Sequence, residues 1–443
     1  MENKKPVFHI TADKGWINDP NGVVKFKGKY HVFYQHHPYS CEWGPMHWGH
    51  VVSKNLLNWK HLPYALTPGD EFDKDGCFSG SSLVVGDRLY VAYTGFIANE
   101  DPEKIIQQQC LAYSDDGINF TKLGLIIGKD NLPDGYASND FRDPKLFKKD
   151  DIYYLLVGAR KCDAKGRFLL YKSLDLLHWE FVEDILQEGS TGKMFECPDY
   201  IEDLGIFTYC EQEQTIDGYK HLNTNSTYYR PCEFKNEKFI LNKSDIVDYG
   251  FDFYAPQTIA KENILFAWME MWDRNYPSAK YGFVGQLTVP RLLSVEEGKL
   301  IQKPVIFGKL SRKTRFFDKY SDKLIVGTLM LEVEGLKKLN INLRQGENEV
   351  TKFYLDKKDF VFDRSNSGEK IEGVEKDELS LKGIRKMPYV KKDKDVIYIV
   401  LDKYSVEIFV NGLSMSNVIY PKDTSIKFEI KLKAKNAELA IYK

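Results

Sequence analysis

The sequence lacks several features that would place it in other classes of protein. None of its apolar runs approaches the ~18 residues that a membrane-spanning helix needs, so no membrane partner is expected. The first residues, Met1 to Pro6, are polar and lysine-bearing rather than apolar, which predicts no signal peptide and a cytoplasmic location. The formal net charge is only −2, so no nucleic-acid partner is expected either.

Cysteine is scarce and unevenly placed. The seven cysteines form no CxxC pair, and none follows Cys232 in this chain of 443 residues. An odd number with no disulfide-type spacing indicates a reduced, cytoplasmic protein. His47 and His50 have a metal-like spacing, but the aromatic sequence around them is typical of a packed loop. Neither a metal nor a cofactor is therefore expected.

Amphipathic helical patterns of roughly 10–15 residues are also absent, and short strand patterns take their place. Five apolar runs recur at intervals of about 53–64 residues, beginning at Tyr30, Leu89, Tyr153, Ile206 and Ile264. Each follows a shorter strand and a polar turn, and an Xaa-Pro pair precedes four of these shorter strands. Similar turns at 53–59, 114–120 and 173–179 each end on an aromatic residue and lead into an outer strand. Repeats of this length are typical of propeller blades.

The predicted fold is all-β, with two domains. Residues 1–307 are expected to form a five-bladed β-propeller; a β-sandwich with coincidental spacing is the alternative. The basic stretch 308–316 is typical of a linker. Residues 317–443 show short alternating strands, which predict an antiparallel β-sandwich. This last part has no Trp, Cys or His, which favours an accessory role.

Three carboxylates occupy one position of the repeat. Asp19 and Asp143 immediately precede the proline, and Glu196 lies two residues before it. Because equivalent positions of successive blades lie on one ring, these side chains are expected to meet at one end of the central channel. Burial and repulsion would raise the pKa of at least one, and glycoside hydrolysis needs a protonated acid facing an ionised one. Taken alone, each acid could instead cap a strand or pair with an arginine.

The stretch from Trp16 to Gly22 supplies the local setting of the first carboxylate. Pro20 restricts its own φ and pushes Asp19 towards an extended conformation, and Asn21-Gly22 is typical of a turn or bulge. Asp19 is therefore predicted at a rigid strand start, beside the aromatic ring of Trp16 and the amide of Asn18.

Together the motifs resemble those of glycoside hydrolase family 32, the β-fructofuranosidases. They are WINDPNG at 16–22, FSGS at 78–81, RDP at 142–144, ECP at 196–198, FYAPQ at 253–257 and LTVPR at 287–291. The resemblance spans the whole chain and implies a five-bladed β-propeller followed by a C-terminal β-sandwich. One departure is conservative, since Ile17 stands where methionine is common in the family.

The resemblance also implies roles for individual residues. Asp19 would be the nucleophile, Glu196 the general acid/base, and Asp143 a transition-state stabiliser that holds fructose hydroxyls together with Arg142. These roles imply that the configuration at the anomeric carbon is retained. Retaining enzymes need the two carboxyl groups, here those of Asp19 and Glu196, about 5–5.5 Å apart. The other residues expected at the sugar subsite are Trp16, Asn18, Gln35, Trp43, Phe78, Ser79 and Trp268.

The expected substrate is a small sugar, either sucrose or sucrose 6-phosphate. The missing secretion signal favours an imported substrate over a polymeric fructan. A phosphate group would need a base at the rim of the site, such as Lys161, Arg167, Lys193 or Arg274. Three alternatives remain: hydrolysis of short fructo-oligosaccharides, another furanosidase activity such as one on arabinosides, and a non-catalytic sugar-binding module. The last would require the loss of an acid, and all three are present.

Overall fold

The computed structural model describes residues 4–163, 165–185, 192–259 and 261–443, and these form β-structure almost throughout. The helices of this part are one short α-helix and four 3₁₀ helices, at Glu378–Leu381, Pro102–Lys104, Lys129–Asn131, Glu202–Leu204 and Pro277–Tyr281. None of these helices is long and apolar enough to cross a membrane. The prediction of an all-β class is confirmed.

The first part of the chain forms three consecutive sheets, each built on four consecutive antiparallel strands. Their strands are β1 (Gly15–Phe26), β2 (Lys29–His37), β3 (His47–Ser53) and β4 (Lys60–Leu66), then β5 (Gly76–Val85), β6 (Arg88–Ile97), β7 (Ile106–Ser114) and β8 (Thr121–Ile127), then β9 (Tyr136–Lys149), β10 (Ile152–Lys161), β11 (Gly166–Ser173) and β12 (Glu180–Ile185). In each sheet every strand pairs with the next one along the chain.

Two further sheets follow the same plan. The fourth contains β13 (Phe195–Ile201), β14 (Ile206–Gln212), β15 (Asn225–Lys235), β16 (Lys238–Leu241) and the short β17 (Asp245–Ile246). The next six strands are β18 (Tyr254–Ile259), β19 (Ile264–Trp268), β20 (Arg274–Asn275), β21 (Phe283–Val284), β22 (Arg291–Glu296) and β23 (Lys299–Pro304), of which β18, β19, β22 and β23 form the fifth sheet in that order. Of these, β21 pairs in parallel with β1, and β20 pairs outside the fifth sheet.

The first strands of the five sheets touch one another in a closed cycle. β1 contacts β5, β5 contacts β9, β9 contacts β13, β13 contacts β18, and β18 returns to β1. The five apolar runs that repeat in the sequence are the second strands, and they are largely buried. The sequence pattern predicts first strands shorter than the second strands, but they are at least as long. The reason is that β1 and β9 begin before their prolines and reach 12 and 14 residues.

The last part of the chain forms two six-stranded antiparallel sheets. Their strands are β24 (Leu310–Phe316), β25 (Lys319–Lys323), β26 (Gly327–Glu334), β27 (Lys338–Gln345), β28 (Val350–Asp356), β29 (Asp359–Asn366), β31 (Ile384–Pro388), β32 (Lys394–Asp402), β33 (Ser405–Val410), β34 (Leu413–Val418), β35 (Lys427–Lys433) and β36 (Asn436–Tyr442), while β30 (Glu372–Gly373) pairs with β20. Alternating apolar residues of both sheets join one buried cluster. The basic stretch that indicated a linker is the edge strand β24, which pairs with β36.

A buried charged network joins the two parts of the chain. Arg291 of β22 contacts Asp248 and Glu407, and Glu407 also accepts a hydrogen bond from His9 Nε2 at 3.0 Å. Asp402 accepts one from His9 Nδ1 at 2.9 Å. All of these side chains are buried. Buried charges need partners, so this network ties the N-terminal segment and the fifth sheet to strands β32 and β33.

Candidate active site

A cavity of about 460 Å³ lies where the first strands of the sheets converge. β1, β5, β9 and β13 each contribute at least one polar side chain to it. Its lining comprises Asn18, Asp19, Gln35, Trp43, Phe78, Ser79, Phe96, Pro102, Ile105, Gln107, Asn139, Asp140, Arg142, Asp143, Glu196, Gln212 and Trp272. The three carboxylates singled out by the repeat therefore share one cavity.

Asp19 is buried in β1 and held by two hydrogen bonds. Its Oδ2 accepts one from Ser79 Oγ at 2.7 Å, and its Oδ1 accepts one from Asn18 Nδ2 at 3.0 Å. Burial raises the pKa of Asp19, these hydrogen bonds oppose the rise, and the charge of Glu196 adds to it. The carboxyl group is thus oriented by its neighbours and placed where ionisation is costly.

Asp143 is buried in β9 and lies beside Cys197. Its Oδ2 accepts a hydrogen bond from the Cys197 backbone N–H at 3.0 Å. The Cys197 thiol lies 3.5 Å from this oxygen and 3.7 Å from Asp19 Oδ2, so it stands between the two acids. Burial raises the pKa of Asp143 to about 7, against the lowering effect of Arg142 and with the charges of Glu196 and Asp19 adding to the rise.

Glu196 is held as a hydrogen-bond acceptor. Its Oε1 accepts from Arg142 Nε at 3.0 Å, Arg142 Nη2 at 2.8 Å and Gln212 Nε2 at 3.0 Å. Its Oε2 accepts from the hydroxyl of Tyr254, whose pKa burial and the charge of Glu196 raise well above its ordinary value. Tyr254 therefore stays a donor, and the Glu196 carboxyl is fixed from both sides.

Arg142 spans the space between two carboxylates. Besides its contact with Glu196, its Nη1 donates to Asp140 Oδ1 at 2.7 Å and to Gln107 Oε1 at 3.2 Å. The neighbouring carboxylates raise its pKa despite burial, so the group is always charged. Arg142 neutralises part of the negative charge that four acids bring to one cavity.

The Cys197 thiol is not a nucleophile in this setting. A hydrogen bond with Cys210, burial and the charges of Asp143 and Asp19 raise its pKa well above the ordinary value. A thiolate is the reactive form of cysteine, and it is disfavoured here. Cys197 packs between the acids as a neutral side chain.

Backbone bulges direct these side chains into the cavity. The register of each first strand shifts beside its functional residue: between Ile17 and Pro20, Phe78 and Gly80, and Glu196 and Asp199 in β1, β5 and β13, with similar shifts in β9 and β18. Asp143, Cys197 and Ala255 have φ of 65°, 50° and 49°, although each precedes a proline, which favours extended backbone. Bulges commonly re-aim a side chain next to an active site.

Most of the predicted subsite residues lie on the cavity wall, but two do not. Asn18, Gln35, Trp43, Phe78, Ser79 and Arg142 line the cavity. Trp268 is fully buried and packs against Trp16 with ring centroids 5.8 Å apart, and neither ring is part of the lining. Trp16 supports the site indirectly, because its Nε1 donates to Asn18 Oδ1 at 2.9 Å.

Trp272 holds the wall position expected of Trp268. It stacks on Trp16 at 5.9 Å and lies 4.9 Å from Trp268, with its own ring at the cavity. Sequence reasoning also missed Gln107, Asp140, Gln212 and Tyr254. Tyr254 belongs to one of the quoted motifs, and that signal could have found it; Gln107 and Gln212 stand in unremarkable strand sequence.

The other sequence candidates lie away from this chemistry. His47 and His50 are three residues apart in β3, so their side chains point to opposite faces, and burial lowers the pKa of both. The four bases considered for a phosphate are Lys161, Arg167, Lys193 and Arg274; none lines the cavity, and each pairs with an acid.

Two family models match consecutive parts of the chain. The model described as "Glycosyl hydrolases family 32 N-terminal domain" matches residues 9–304. The model described as "Glycosyl hydrolases family 32 C terminal" matches residues 309–442. Together they cover almost the whole sequence.

Characterised relatives and solved structures are similar along nearly their full lengths. A sucrose-6-phosphate hydrolase of Zymomonas mobilis is 36% identical over 95% of this chain and 88% of its own length. A raffinose invertase of Escherichia coli is 35% identical over 95% of this chain and 90% of its own length. The structure of a variant of a Bombyx mori family 32 beta-fructofuranosidase in complex with sucrose has a TM-score of 0.83 and 31% identity, and covers 99% of this chain and 93% of that one.

Proposed function

The chain belongs to glycoside hydrolase family 32, and we propose that it is a retaining β-fructofuranosidase that hydrolyses sucrose or sucrose 6-phosphate. The reaction cleaves the terminal β-D-fructofuranosyl bond and releases fructose. Relatives of about 35% identity that are named sucrose-6-phosphate hydrolase and raffinose invertase support this substrate range.

In the proposed reaction the three acids have separate tasks. Asp19 attacks the anomeric carbon of the fructosyl group and forms a covalent ester, while Glu196 protonates the leaving oxygen. Glu196, now ionised, then takes a proton from a water that attacks the ester, which restores Asp19 with net retention. Asp143 accepts hydrogen bonds from sugar hydroxyls and adds negative charge near the cationic transition state.

The observation that carries this proposal is the shared cavity of Asp19, Asp143 and Glu196. Ser79 and Asn18 fix the first acid, the Cys197 N–H fixes the second, and Arg142, Gln212 and Tyr254 fix the third. Three acids held separately in one sugar-sized cavity match the needs of a two-step displacement. The proposal also requires about 5–5.5 Å between the carboxyl groups of Asp19 and Glu196.

The experiment is sucrose hydrolysis by purified variants. Asp19→Ala and Glu196→Ala are each expected to lower kcat by roughly 1,000-fold or more, because each removes a group that forms or breaks a bond. Asp151→Ala is the matched control, since Asp151 is a fully exposed carboxylate on the β9–β10 turn. Near-normal turnover by either active-site variant, with thermal unfolding unchanged, would refute the assignment of roles.

The remaining alternatives are separated by the wild-type protein on a substrate panel. A preference for short fructo-oligosaccharides over sucrose would change the substrate but keep the mechanism. Cleavage of arabinofuranosides alone would select another furanosidase activity. Binding of fructosides without any turnover would indicate a sugar-binding module, although the presence of all three acids disfavours it.

We also propose that the chain folds as a propeller followed by a sandwich and that the protein is cytoplasmic. The five N-terminal sheets would be the blades of a five-bladed β-propeller over residues 1–307, with β1, β5, β9, β13 and β18 innermost; their closed cycle of contacts supports this. The C-terminal part, predicted as a linker over 308–316 and a β-sandwich over 317–443, would be a β-sandwich that already begins with β24. A cytoplasmic location agrees with seven cysteines that are all free thiols.

A further inference from the structure

We infer that the cavity selects an uncharged fructoside, so that this enzyme cleaves sucrose in preference to sucrose 6-phosphate. The inference rests on the proposed β-fructofuranosidase function and concerns the part of the substrate that leaves. It follows from the charges of the cavity wall, from the partners of the arginine in it, and from the bases that pair with acids of the wall or next to it in the sequence.

The cavity wall is strongly negative. Its described lining contains four carboxylates, those of Asp19, Asp140, Asp143 and Glu196, against a single cation, Arg142. No lysine is part of this lining. With Glu196 protonated, as the acid step of the proposed reaction requires, the carboxylates of Asp19, Asp140 and Asp143 still outnumber the guanidinium groups of Arg142 and Arg160 that pair with this wall. A cleft lined by one sign of charge repels a ligand of the same sign.

Arg142 is not available to bind a phosphate. Its Nε and Nη2 donate to Glu196, and its Nη1 donates to Asp140 and Gln107. A phosphate that bound this side chain would leave Glu196 without its cation, and Asp140 with Arg160 alone. Leaving a buried charge unpaired costs several kcal/mol, so the exchange is unfavourable.

Three bases pair with acids that line the cavity or stand next to a lining residue in the sequence. Lys104 contacts Asp101 at 3.1 Å, Arg160 contacts Asp140, and Lys193 contacts Glu213. Lys104 and Lys193 are neutralised by acids outside the lining, whereas Arg160 shares the lining residue Asp140 with Arg142. The cavity wall also includes Phe96, Pro102 and Ile105, which can pack against a sugar but offer a phosphate no donor from their side chains.

A phosphorylated leaving group would therefore add roughly two negative charges to a cavity whose described lining holds Arg142 as its one cation, and Arg142 is already paired. Discrimination of this kind arises from uncompensated charge rather than from shape. It also weakens as ionic strength rises, because salt screens the interaction at the open mouth.

The first test compares wild-type kcat/KM on sucrose and on sucrose 6-phosphate at neutral pH and low ionic strength. Sucrose is expected to be the better substrate by tenfold or more, with the ratio shrinking as salt is added. A higher kcat/KM for sucrose 6-phosphate would overturn the inference while leaving the proposed function intact. Failure to cleave either compound would instead sink the proposed function.

The second test places a cation in the cavity wall. Ile105→Lys is expected to raise kcat/KM for sucrose 6-phosphate relative to that for sucrose by about tenfold, since it supplies the missing charge. Ile105→Gln is the matched control, because it has a similar length and no charge, and its ratio should stay near that of the wild type. Equal ratios for the lysine and glutamine variants would contradict the electrostatic origin of the preference.

Discussion

At the scale of single residues, the site keeps Asp19 and Asp143 in environments that disfavour charge. Burial raises the pKa of both Asp19 and Asp143, and the charge of Glu196 adds to each rise. The hydrogen bonds from Ser79 and Asn18 counteract this at Asp19 and also fix the direction of its carboxyl group. A nucleophile that is oriented and poorly solvated needs little reorganisation to attack.

This electrostatic setting predicts the acid limb of the pH profile. Asp19 must be ionised to attack, and Asp143 must be ionised to accept hydrogen bonds from the sugar. Because the pKa of Asp143 is about 7 and that of Asp19 is raised, kcat/KM should fall as pH falls from about 7. The measurement is the pH dependence of kcat/KM on sucrose. A profile that stays flat down to pH 4 would contradict these environments.

Substitution of Ser79 tests the origin of the acid limb of the pH profile more directly. Its hydrogen bond to Asp19 Oδ2 stabilises the ionised form and holds down the pKa of Asp19. Ser79→Ala should therefore move the acid limb to higher pH, in addition to lowering kcat about 10-fold. Ser79→Thr keeps a hydroxyl and should restore the position of the limb. An unshifted limb in the alanine variant would mean that this bond does not govern ionisation.

The sequence predicted the three acids better than it predicted the aromatic wall. The acids recur next to the repeat's proline, so their position follows from the repeat itself. Whether Trp268 or Trp272 lines the cavity depends on how the chain turns after β19 ends at Trp268. That turn buries Trp268 and exposes Trp272 to the cavity, and nothing in the strand pattern encodes it.

At the scale of elements, the first strands share a bulge that the sequence indicated only for β1. Asn21-Gly22 suggested a turn or bulge there. Asp143, Cys197 and Ala255 each precede a proline, so the sequence predicts an extended backbone there. In the structure their φ angles are positive instead. Tertiary packing overrides this local preference, and the bulge turns the functional side chains towards the cavity. Strand positions were predictable from the repeat, whereas this strained backbone was not.

Close packing between the third and fourth sheets can be tested at Gly158. A Cβ on Gly158 of β10 would lie 2.1 Å from the carbonyl oxygen of Phe195, next to Glu196, and 3.3 Å from that of Arg142. Gly158→Ala should push β13 away and lower kcat by about 10–100-fold, because small displacements of a catalytic group are costly.

The control for this prediction is Gly128→Ala. There the nearest atom to a new Cβ is the end of the flexible Leu125 side chain, at 3.1 Å, so the change can be absorbed. Both variants would be compared by kcat on sucrose and by thermal unfolding. Equal kcat values for the two variants, each near that of the wild type, would show that the spacing of these sheets does not set the position of Glu196.

At the scale of the whole molecule, the two parts of the chain share buried charges. His9 lies between Asp402 and Glu407, and Arg291 joins Glu407 to Asp248. Burial alone would lower the pKa of His9, but the hydrogen bonds to Asp402 and Glu407 outweigh it and raise the value to about 9. The C-terminal part therefore stabilises the N-terminal part through charge as well as through apolar contacts. The sequence suggested an accessory role for this part but gave no sign of the network.

The raised pKa of His9 predicts how stability depends on pH. The folded value of about 9 exceeds the ordinary 6.5, so the stabilisation is complete below pH 6.5 and is lost as pH rises through about 9. The loss for the wild type should be on the order of 3 kcal/mol in the free energy of unfolding. His9→Gln should remove this pH dependence.

The matched control is His178→Gln, since His178 is exposed and pairs only with Asp175 on the same turn. Denaturant unfolding at several pH values between 6 and 10 would compare the three proteins. If the wild type and His9→Gln lose stability in parallel over this range, the network does not couple the two parts through His9.

The central claim is that Asp19 forms a covalent bond to fructose while Glu196 serves as acid and base, and trapping tests it most directly. Glu196→Ala would be mixed with a fructoside whose leaving group needs no protonation, and the protein would be digested and analysed by mass spectrometry. Since deglycosylation is slow without the base, a fructosyl group should accumulate on the peptide that contains Asp19 and be absent when Asp19 is also changed to Asn. A fructosyl group found on Asp143 or another residue, or release of fructose with no adduct at any time, would contradict the account.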